Sequence, residues 1–517
     1  MKKILSLVIF ILVLSFTLVF GILQNCLAYK ALSEANFDKA TITSRRAIFL
    51  PKILNSLTFH QIELIKFWEL SLQEIPRLKE ISTNSKLYLA QTLNNESSNQ
   101  ELSNKIIQDL EKINDGLNKI DIRELNQVRS IINDSIIVIK KFLQTDQSYI
   151  VILQNSDELR ATGGFLGSFF ILETQNGQIL PPQIQDIYVP DGQFKGFVEA
   201  PSGLSEYLSS GKGLRLPDAN WWPNFSDSAE QMLYFFENVE NKKYQGVISV
   251  NLNVAEQLLN LTGEIYLPDY DTYVNQDNFA QIARADRNEF FPGSQEKANF
   301  LNHFFKMFKL KLGQIVEDNP KEIIILGEKL LKNKDVQLYS RDPVIAEVLQ
   351  RRNLDGSMHN NQGLYYFLVE SNVGINKANR LIKRQVTIDI KDNQEKIIIN
   401  FQNDNQVPYV NYQRIYTNQD TELSNVLIGD KKVTAIDKKI FTTKEGNKFN
   451  EFGFLVSVLA QNQTKIEVDL RSSLPIESKK NIFIQKQSGL SPTNYIINYQ
   501  QQNKNFELTS DQKLIFD

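Results

Sequence analysis

Tyr244-Gln245-Gly246-Val247-Ile248-Ser249-Val250 reads as a buried strand, because β-branched and aromatic residues dominate a run that carries no charge. Val254 to Leu261 follows as a short helix and Glu264 to Leu267 as another strand. The alternation continues in both directions. Upstream, Ser148 to Leu153 is a short β-rich run, and Gly167 to Thr174 is a strand entering an Asn176-Gly177 turn. Downstream, Lys297 to Leu312 is an amphipathic helix carrying Phe300, Leu301, Phe304, Phe305 and Phe308. Glu322 to Leu331 is a further helix, Val336 to Ser340 a strand, Pro343 to Arg351 a helix with proline at its first position, and Leu364 to Val369 again a strand. Residues 148–380 thus predict an α/β domain, a sheet covered by helices as an αβα sandwich.

The flanks differ in kind. From 381 to 517, short strands alternate with Asn, Asp and Gly turns, among them Lys383 to Ile390, Glu395 to Asn400, Val410 to Tyr416, Phe452 to Leu459 and Thr464 to Leu470. That pattern predicts a C-terminal β-sandwich. Residues 30–147 read as helical: Leu64, Ile65, Trp68, Leu72 and Ile75 recur at helical spacing, as do Ile106, Ile107, Leu110, Ile113, Leu117 and Ile120, and a third run spans Val128 to Phe142. Pro51 and Pro76 punctuate these runs, and Asn94 to Asn99 is a polar loop. A helical stalk or bundle is the expectation, since sustained heptads are not evident.

At the amino end, Met1-Lys2-Lys3 precedes an uncharged stretch from Ile4 to Tyr29. A bilayer needs about 20 apolar residues, so residues 1–29 read as a transmembrane anchor. The two lysines stay in the cytoplasm, and everything from about Lys30 onward lies outside the cytoplasmic membrane, as a single-pass protein. A cleaved signal peptide is the competing reading, but Gln24-Asn25-Cys26-Leu27-Ala28-Tyr29 makes a poor cleavage site.

Composition narrows the function. The chain has 517 residues, enough for about three domains, and a net charge of −3, which offers no basic patch for nucleic acid. Its one cysteine, Cys26, lies in the apolar segment, so the exterior part holds no disulfide. His60, His303 and His359 are far apart and argue against a zinc site. No G-x-S-x-G elbow is present, and Gly211-Lys212-Gly213 lacks the earlier glycine of a Walker loop.

Three clusters are candidates for chemistry. Asn155-Ser156-Asp157-Glu158-Leu159-Arg160-Ala161-Thr162-Gly163-Gly164-Phe165-Leu166-Gly167-Ser168 follows a predicted strand, where open sheets with parallel strands bind ligands. Gly163 and Gly164 would let backbone N–H groups approach a phosphate and Arg160 would clamp it, with a tight turn and a structural ion pair as the bland alternative. The second cluster, Leu214-Arg215-Leu216-Pro217-Asp218-Ala219-Asn220-Trp221-Trp222-Pro223-Asn224-Phe225-Ser226-Asp227, places two tryptophans in a polar loop. They would stack on a sugar or wedge a lipid, or else plug a core edge. Ser226 or Asp227 would cap the helix that follows. The third is Arg284-Ala285-Asp286-Arg287-Asn288-Glu289-Phe290, with a solvated loop and helix start as the bland alternative.

These residues carry two resemblances. Glu158-Leu159-Arg160, Thr162-Gly163-Gly164-Phe165 and Gly167-Ser168, then Asp218-Ala219-Asn220-Trp221 with Pro223 and Phe225, then Gly246-Val247-Ile248, resemble the signature of the domain of unknown function 4012 family. That resemblance implies a bacterial membrane-anchored exterior protein and brings no activity with it. The chain departs from the family at Asn224 and Gln245, where Asp is usual. The order of elements from Tyr244 to Leu267, with Arg284 and Arg287, is similar to the LytR-CpsA-Psr enzymes, which transfer glycopolymers from polyprenyl-pyrophosphate carriers to the cell wall. Those enzymes usually carry further arginines near Ser294 and Glu296-Lys297. That second likeness implies a phosphotransferase in which Arg160, Arg284 and Arg287 clamp the pyrophosphate and Asp157, Asp218 or Asp286 hold Mg²⁺. Asp157, Gly163, Gly164, Arg215, Trp221 and Trp222 are the candidate ligand-binding residues on either reading. The alternative is a non-catalytic envelope scaffold or binding protein that uses the β-sandwich and the tryptophan loop. The two part on whether the arginines share one cleft.

Overall fold

The computed structural model describes residues 23–517 except 25, 35, 59, 94–99, 176–177, 286–295, 319 and 360–362. The protein is a multidomain mixed α/β chain with helices at the amino end, a mixed sheet in the middle and β-rich sheets at the carboxyl end. It divides into two compact units. The first holds residues 1–147, 173–181 and 309–323, and the second holds residues 148–172, 182–308 and 324–517.

In the first unit, helices Phe37–Ala47, Phe49–Leu57, Glu63–Leu93, Gln100–Asn118 and Asn126–Gln144 present the apolar stripes expected from their spacing. Ala28, Ala31, Ala40, Ala47, Leu72 and Ile75 form one buried cluster, and Ile113, Leu117, Ile120 and Leu125 form another. The two prolines do not end helices as the sequence suggests. Pro51 sits in the first turn of Phe49–Leu57, where its missing N–H has no intrahelical partner to lose. Pro76 lies inside Glu63–Leu93, next to the fully buried Ile75. Packing there outweighs the lost hydrogen bond. Most of the segment expected to cross a membrane, residues 1–22, lies outside the described residues. Among the described residues no helix is long and apolar enough to do so.

In the second unit, β1 (Gln147–Arg160) is flanked by β2 (Gly163–Gln175) and β5 (Gly246–Asn251), with β4 (Gln185–Asp186) beside β2 and β8 (Val336–Ser340) beyond β5; β3 (Gln178–Ile179), which pairs with the last residues of β2, is counted with the first unit. β1 runs parallel to β5 from Tyr149 against Gly246 to Gln154 against Asn251, and β8 is antiparallel to β5. The helix Phe225–Glu240 covers this sheet with Ala229, Met232, Leu233, Phe235 and Phe236. A two-stranded ribbon, β6 (Ile265–Leu267) and β7 (Thr272–Val274), lies apart from it.

Two further sheets complete the unit. One is ordered β14 (Lys431–Lys432), β13 (Thr421–Ile428), β17 (Asn462–Ser472), β11 (Gln394–Asn403), β10 (Ile382–Lys391), β19 (Thr493–Tyr499), β20 (Gln502–Leu508). The other is ordered β15 (Asp437–Thr442), β16 (Lys448–Val458), β12 (Tyr409–Thr417), β9 (Leu364–Asn372), β18 (Asn481–Gln485), β21 (Gln512–Ile515). Ile388, Ile397, Val468 and Ile497 of the first meet Phe454, Val456, Ile482 and Ile484 of the second in one core. The alternation of buried and exposed residues along β10 and β11 is what places those isoleucines inward. β9 joins these C-terminal sheets, between β12 and β18, and not the sheet of β1. It is buried along its whole length, so its run of Leu364 to Val369 had no alternation to betray which sheet it serves.

Candidate functional site

The first candidate cluster is not a loop. β1 continues through Asp157 and Glu158 to Arg160, two residues turn, and β2 starts at Gly163. Glu158 and Arg160, charged residues of low β propensity, persist in the strand because they pair with each other and Arg160 pairs also with Asp218. Arg160 is 1% exposed. Its Nε donates to Asp218 Oδ1 at 2.8 Å, Nη2 to Glu158 Oε1 at 3.0 Å, and Nη1 to the carbonyls of Asn372 at 2.8 Å and Leu159 at 3.2 Å. Burial opposes its charge, but Asp218 and Glu158 more than offset that, and its pKa stands above the usual value.

The glycine pair approaches protein backbone. A Cβ on Gly164 would fall 2.1 Å from the carbonyl of Asn155, and one on Gly163, at φ +139°, 2.2 Å from Gln154 Oε1. Gly489, in the loop after β18, comes so close to Gly163 that a Cβ there would lie 2.7 Å from the Gly163 carbonyl oxygen. The Gln487 side chain donates to the carbonyls of Arg160 and Glu370, and Asn379 donates to that of Ser156. Asn220 donates to Gln154 Oε1 at 3.0 Å and to the Gly164 carbonyl at 2.7 Å. The sheet of β1 and the C-terminal sheets are therefore joined backbone to backbone at this point.

Trp221 belongs to the same joint. It is 1% exposed, stacks on Tyr412 with ring centroids 5.8 Å apart, and lies beneath the Arg414 guanidinium at 4.8 Å. Trp222 is half-buried between two apolar clusters. Of the readings open to the tryptophan pair, the core-edge plug is the one whose contacts are present. Neither Ser226 nor Asp227 caps the helix behind it: Phe225–Glu240 has Asn224 at its N-cap. Asn224 is fully buried and spends its side-chain N–H groups on Ser226, Asp227 and Glu445. Arg215 binds Asp191, with Nε to Oδ1 at 3.0 Å.

A cleft of 590 Å³ opens beyond the carboxyl end of β5, beside β1, where a parallel pair in an open sheet offers a binding site. Asp157, Asn253, Gln257, Asp335, Arg380 and Lys486 are among its lining residues. Asp335 and Lys486 are nearly fully buried. Burial pushes the Asp335 carboxyl above the ordinary range, against the pull of Lys486 and of the Asn253, Gln257 and Asn251 amides. Burial likewise pushes the Lys486 amine down to about 8, although Asp335 opposes it. Lys486 Nζ donates to the carbonyls of Asn333 and Gln487 at 3.0 Å. Asp157, which the sequence singled out, does line the cleft; Gly163, Gly164, Arg160, Arg215 and both tryptophans do not.

A family model described as a protein of unknown function, DUF4012, matches residues 144–287. That stretch is a DUF4012 domain. The match bears out the resemblance carried by the Glu158 and Asp218 motifs and lends nothing to the likeness with the LytR-CpsA-Psr enzymes. No curated protein matches. Among solved structures, a candidate nutrient binding protein from Legionella pneumophila subsp. pneumophila str. Philadelphia 1 is similar over 29% of this chain and 70% of its own, at 11% identity and a TM-score of 0.19, too low to argue a shared fold.

Within the DUF4012 domain, Arg284 lies in the helix Phe279–Ala285, while Asp286 and Arg287 fall outside the described residues. Asp218 does not suit Mg²⁺: its carboxylate faces the Arg160 guanidinium, a charge that repels a second cation. Among the described residues no three His, Cys, Asp or Glu side chains come together as a metal site. The cleft draws one wall from the DUF4012 domain (Ser156, Asp157, Leu252, Asn253, Glu256, Gln257) and the other from Lys329 to Asp335 and the C-terminal sheets. Asn251-Leu252-Asn253 at the end of a strand was a signal for it. Lys486 and Asp335 carried none, since nothing local marks a residue that a distant strand will bury.

Proposed function

We propose that this is a single-pass protein of the cytoplasmic membrane, anchored by the apolar segment Ile4 to Tyr29 with its bulk outside, and that its DUF4012 domain with the C-terminal β-sandwich binds a cell-wall polymer without catalysing transfer. In this reading the central sheet is the αβα layer inferred from the sequence. One observation carries the choice between binding and transfer: Arg160 is enclosed and its fork is occupied by Asp218, Glu158 and two carbonyls. A phosphate clamp must offer those N–H groups to substrate. The cleft offers what a binding site needs, a concave surface of suitable size at the strand ends with charged and amide side chains among its lining residues. Mg²⁺ and a polyprenyl-pyrophosphate substrate have no part in it.

The test uses the full-length protein extracted in detergent. It should sediment with isolated bacterial sacculi, and it should leave a polyprenyl-pyrophosphate-linked glycan intact when Mg²⁺ is supplied. Transfer of that glycan would overturn the non-catalytic reading, and failure to sediment would overturn the binding one.

A further inference from the structure

The charge pattern of the cleft selects its ligand. Four carboxylates line it, Asp157, Glu256, Asp335 and Glu507, against three cations, Lys329, Arg380 and Lys486. Arg380 is held by Glu256 at 3.2 Å, and Lys486 is turned onto two carbonyls. A pyrophosphate would meet more negative than positive charge, and two of the three cations are already engaged. A purely cationic ligand would face Lys329 and Arg380. At the rim, Lys329 and Glu507 are exposed and make no ion pair among the described residues. A rim with one available charge of each sign matches a ligand that carries both. Leu252, Leu490 and Pro492 supply an apolar wall, and among the described residues no aromatic ring lines the cleft for a sugar face to stack on.

We infer that the cleft binds a short zwitterionic peptide, its carboxylate meeting Lys329 and its ammonium meeting Glu507 and the carboxylates deeper in. This rests on the cell-wall-binding reading and names the part of the polymer that is recognised, a peptide arm with free charged groups. Exposed charge pairs are individually weak, so the affinity is modest and falls with salt.

Calorimetric titration of the full-length protein in detergent tests this with four probes: the tripeptide Ala-Glu-Lys, the same tripeptide acetylated and amidated at its ends, inorganic pyrophosphate, and a neutral oligomer of N-acetylglucosamine. The free tripeptide should bind best and the blocked one about tenfold more weakly, as expected for loss of two charge contacts. Lys329→Ala and Glu507→Ala should each weaken the free tripeptide roughly two- to fivefold. Both side chains are exposed, so folding should be unaffected, and Ser491→Trp, on the exposed cleft wall, should block the site as an independent check. Equal binding of the two tripeptides, or tighter binding of pyrophosphate or the oligosaccharide, overturns the assignment. Sedimentation with sacculi separates the two claims: if the protein sediments but the tripeptide neither binds nor displaces it, the ligand is wrong and the wall-binding reading stands. If it neither sediments nor binds any probe, both fail.

Discussion

Arg160 holds a full positive charge where solvent reaches 1% of it, so the worth of its partners is best seen by removing it. Arg160→Ala would leave Asp218 and Glu158 facing each other without the guanidinium, and the carbonyls of Asn372 and Leu159 without a donor. Breaking a buried ion pair from one side costs about 3–5 kcal/mol, a large share of a typical stability. The expected result is a large fall in the melting temperature of the second unit, followed by circular dichroism, with little recovery in Arg160→Lys because an ammonium cannot span that fork. Melting at the wild-type temperature would show the arginine to be dispensable to the fold. Lys486 makes the opposite kind of contribution. Its folded pKa of about 8 lies below the value of a free lysine, so between about pH 8 and 10 the unfolded chain still binds a proton that the native state has released. Stability from this group is therefore lowest below pH 8 and rises as pH climbs through that window, by on the order of 3 kcal/mol. Urea unfolding of wild type and Lys486→Met from pH 7 to 10.5 should show the wild type gaining on the variant as pH rises. Parallel pH profiles would mean that the amine is not desolvated as the structure has it.

At the scale of elements, legibility followed how local each signal was. The strand at Tyr244 to Val250, the helix after it and the amphipathic helices of the first unit were readable because periodicity and β-branching act within a few residues. The structure places strand or helix at all of them. β1 was read too short because Asp157, Glu158 and Arg160 look like loop residues until Asp218, Asn372 and Gln487 arrive from distant parts of the chain. Pro76, which punctuates the helical pattern, lies inside Glu63–Leu93 for a related reason: the tertiary packing of Ile75 overrides a local preference. The candidate site was legible only at Asp157. Glycines, an arginine and paired tryptophans are the residues of a phosphate or sugar site, and they are equally the residues of a crowded joint between sheets. The Cβ distances at Gly163, Gly164 and Gly489, the occupied fork of Arg160 and the buried stack of Trp221 separate the two. The same holds for Arg384, Glu370 and Tyr409, a buried network in the C-terminal sheets that no spacing announces.

For the molecule as a whole, the joint means that a sequence domain and a folding unit are different objects here. The DUF4012 match ends at residue 287, yet β1 gives its last hydrogen-bonding groups to residues 372, 379 and 487, and the apolar cluster around Trp221 and Phe225 is completed by Val373 and Tyr412. Removing residues 364–517 would expose that cluster, take the Asn372 carbonyl away from Arg160 Nη1 and strip one wall from the cleft. We therefore expect the second unit, residues 148–172, 182–308 and 324–517, to unfold as one cooperative block. In calorimetry the second unit should give a single transition whose calorimetric and van't Hoff enthalpies agree. A chain ending at residue 363 should show no cooperative transition in its mixed sheet and should be cut rapidly by protease between residues 148 and 363, where the intact chain resists. If the shortened chain instead unfolds cooperatively and resists digestion, the joint is a docking contact between independent domains. The cleft would then depend on how they dock, and Arg160 would be a hinge residue rather than a core one.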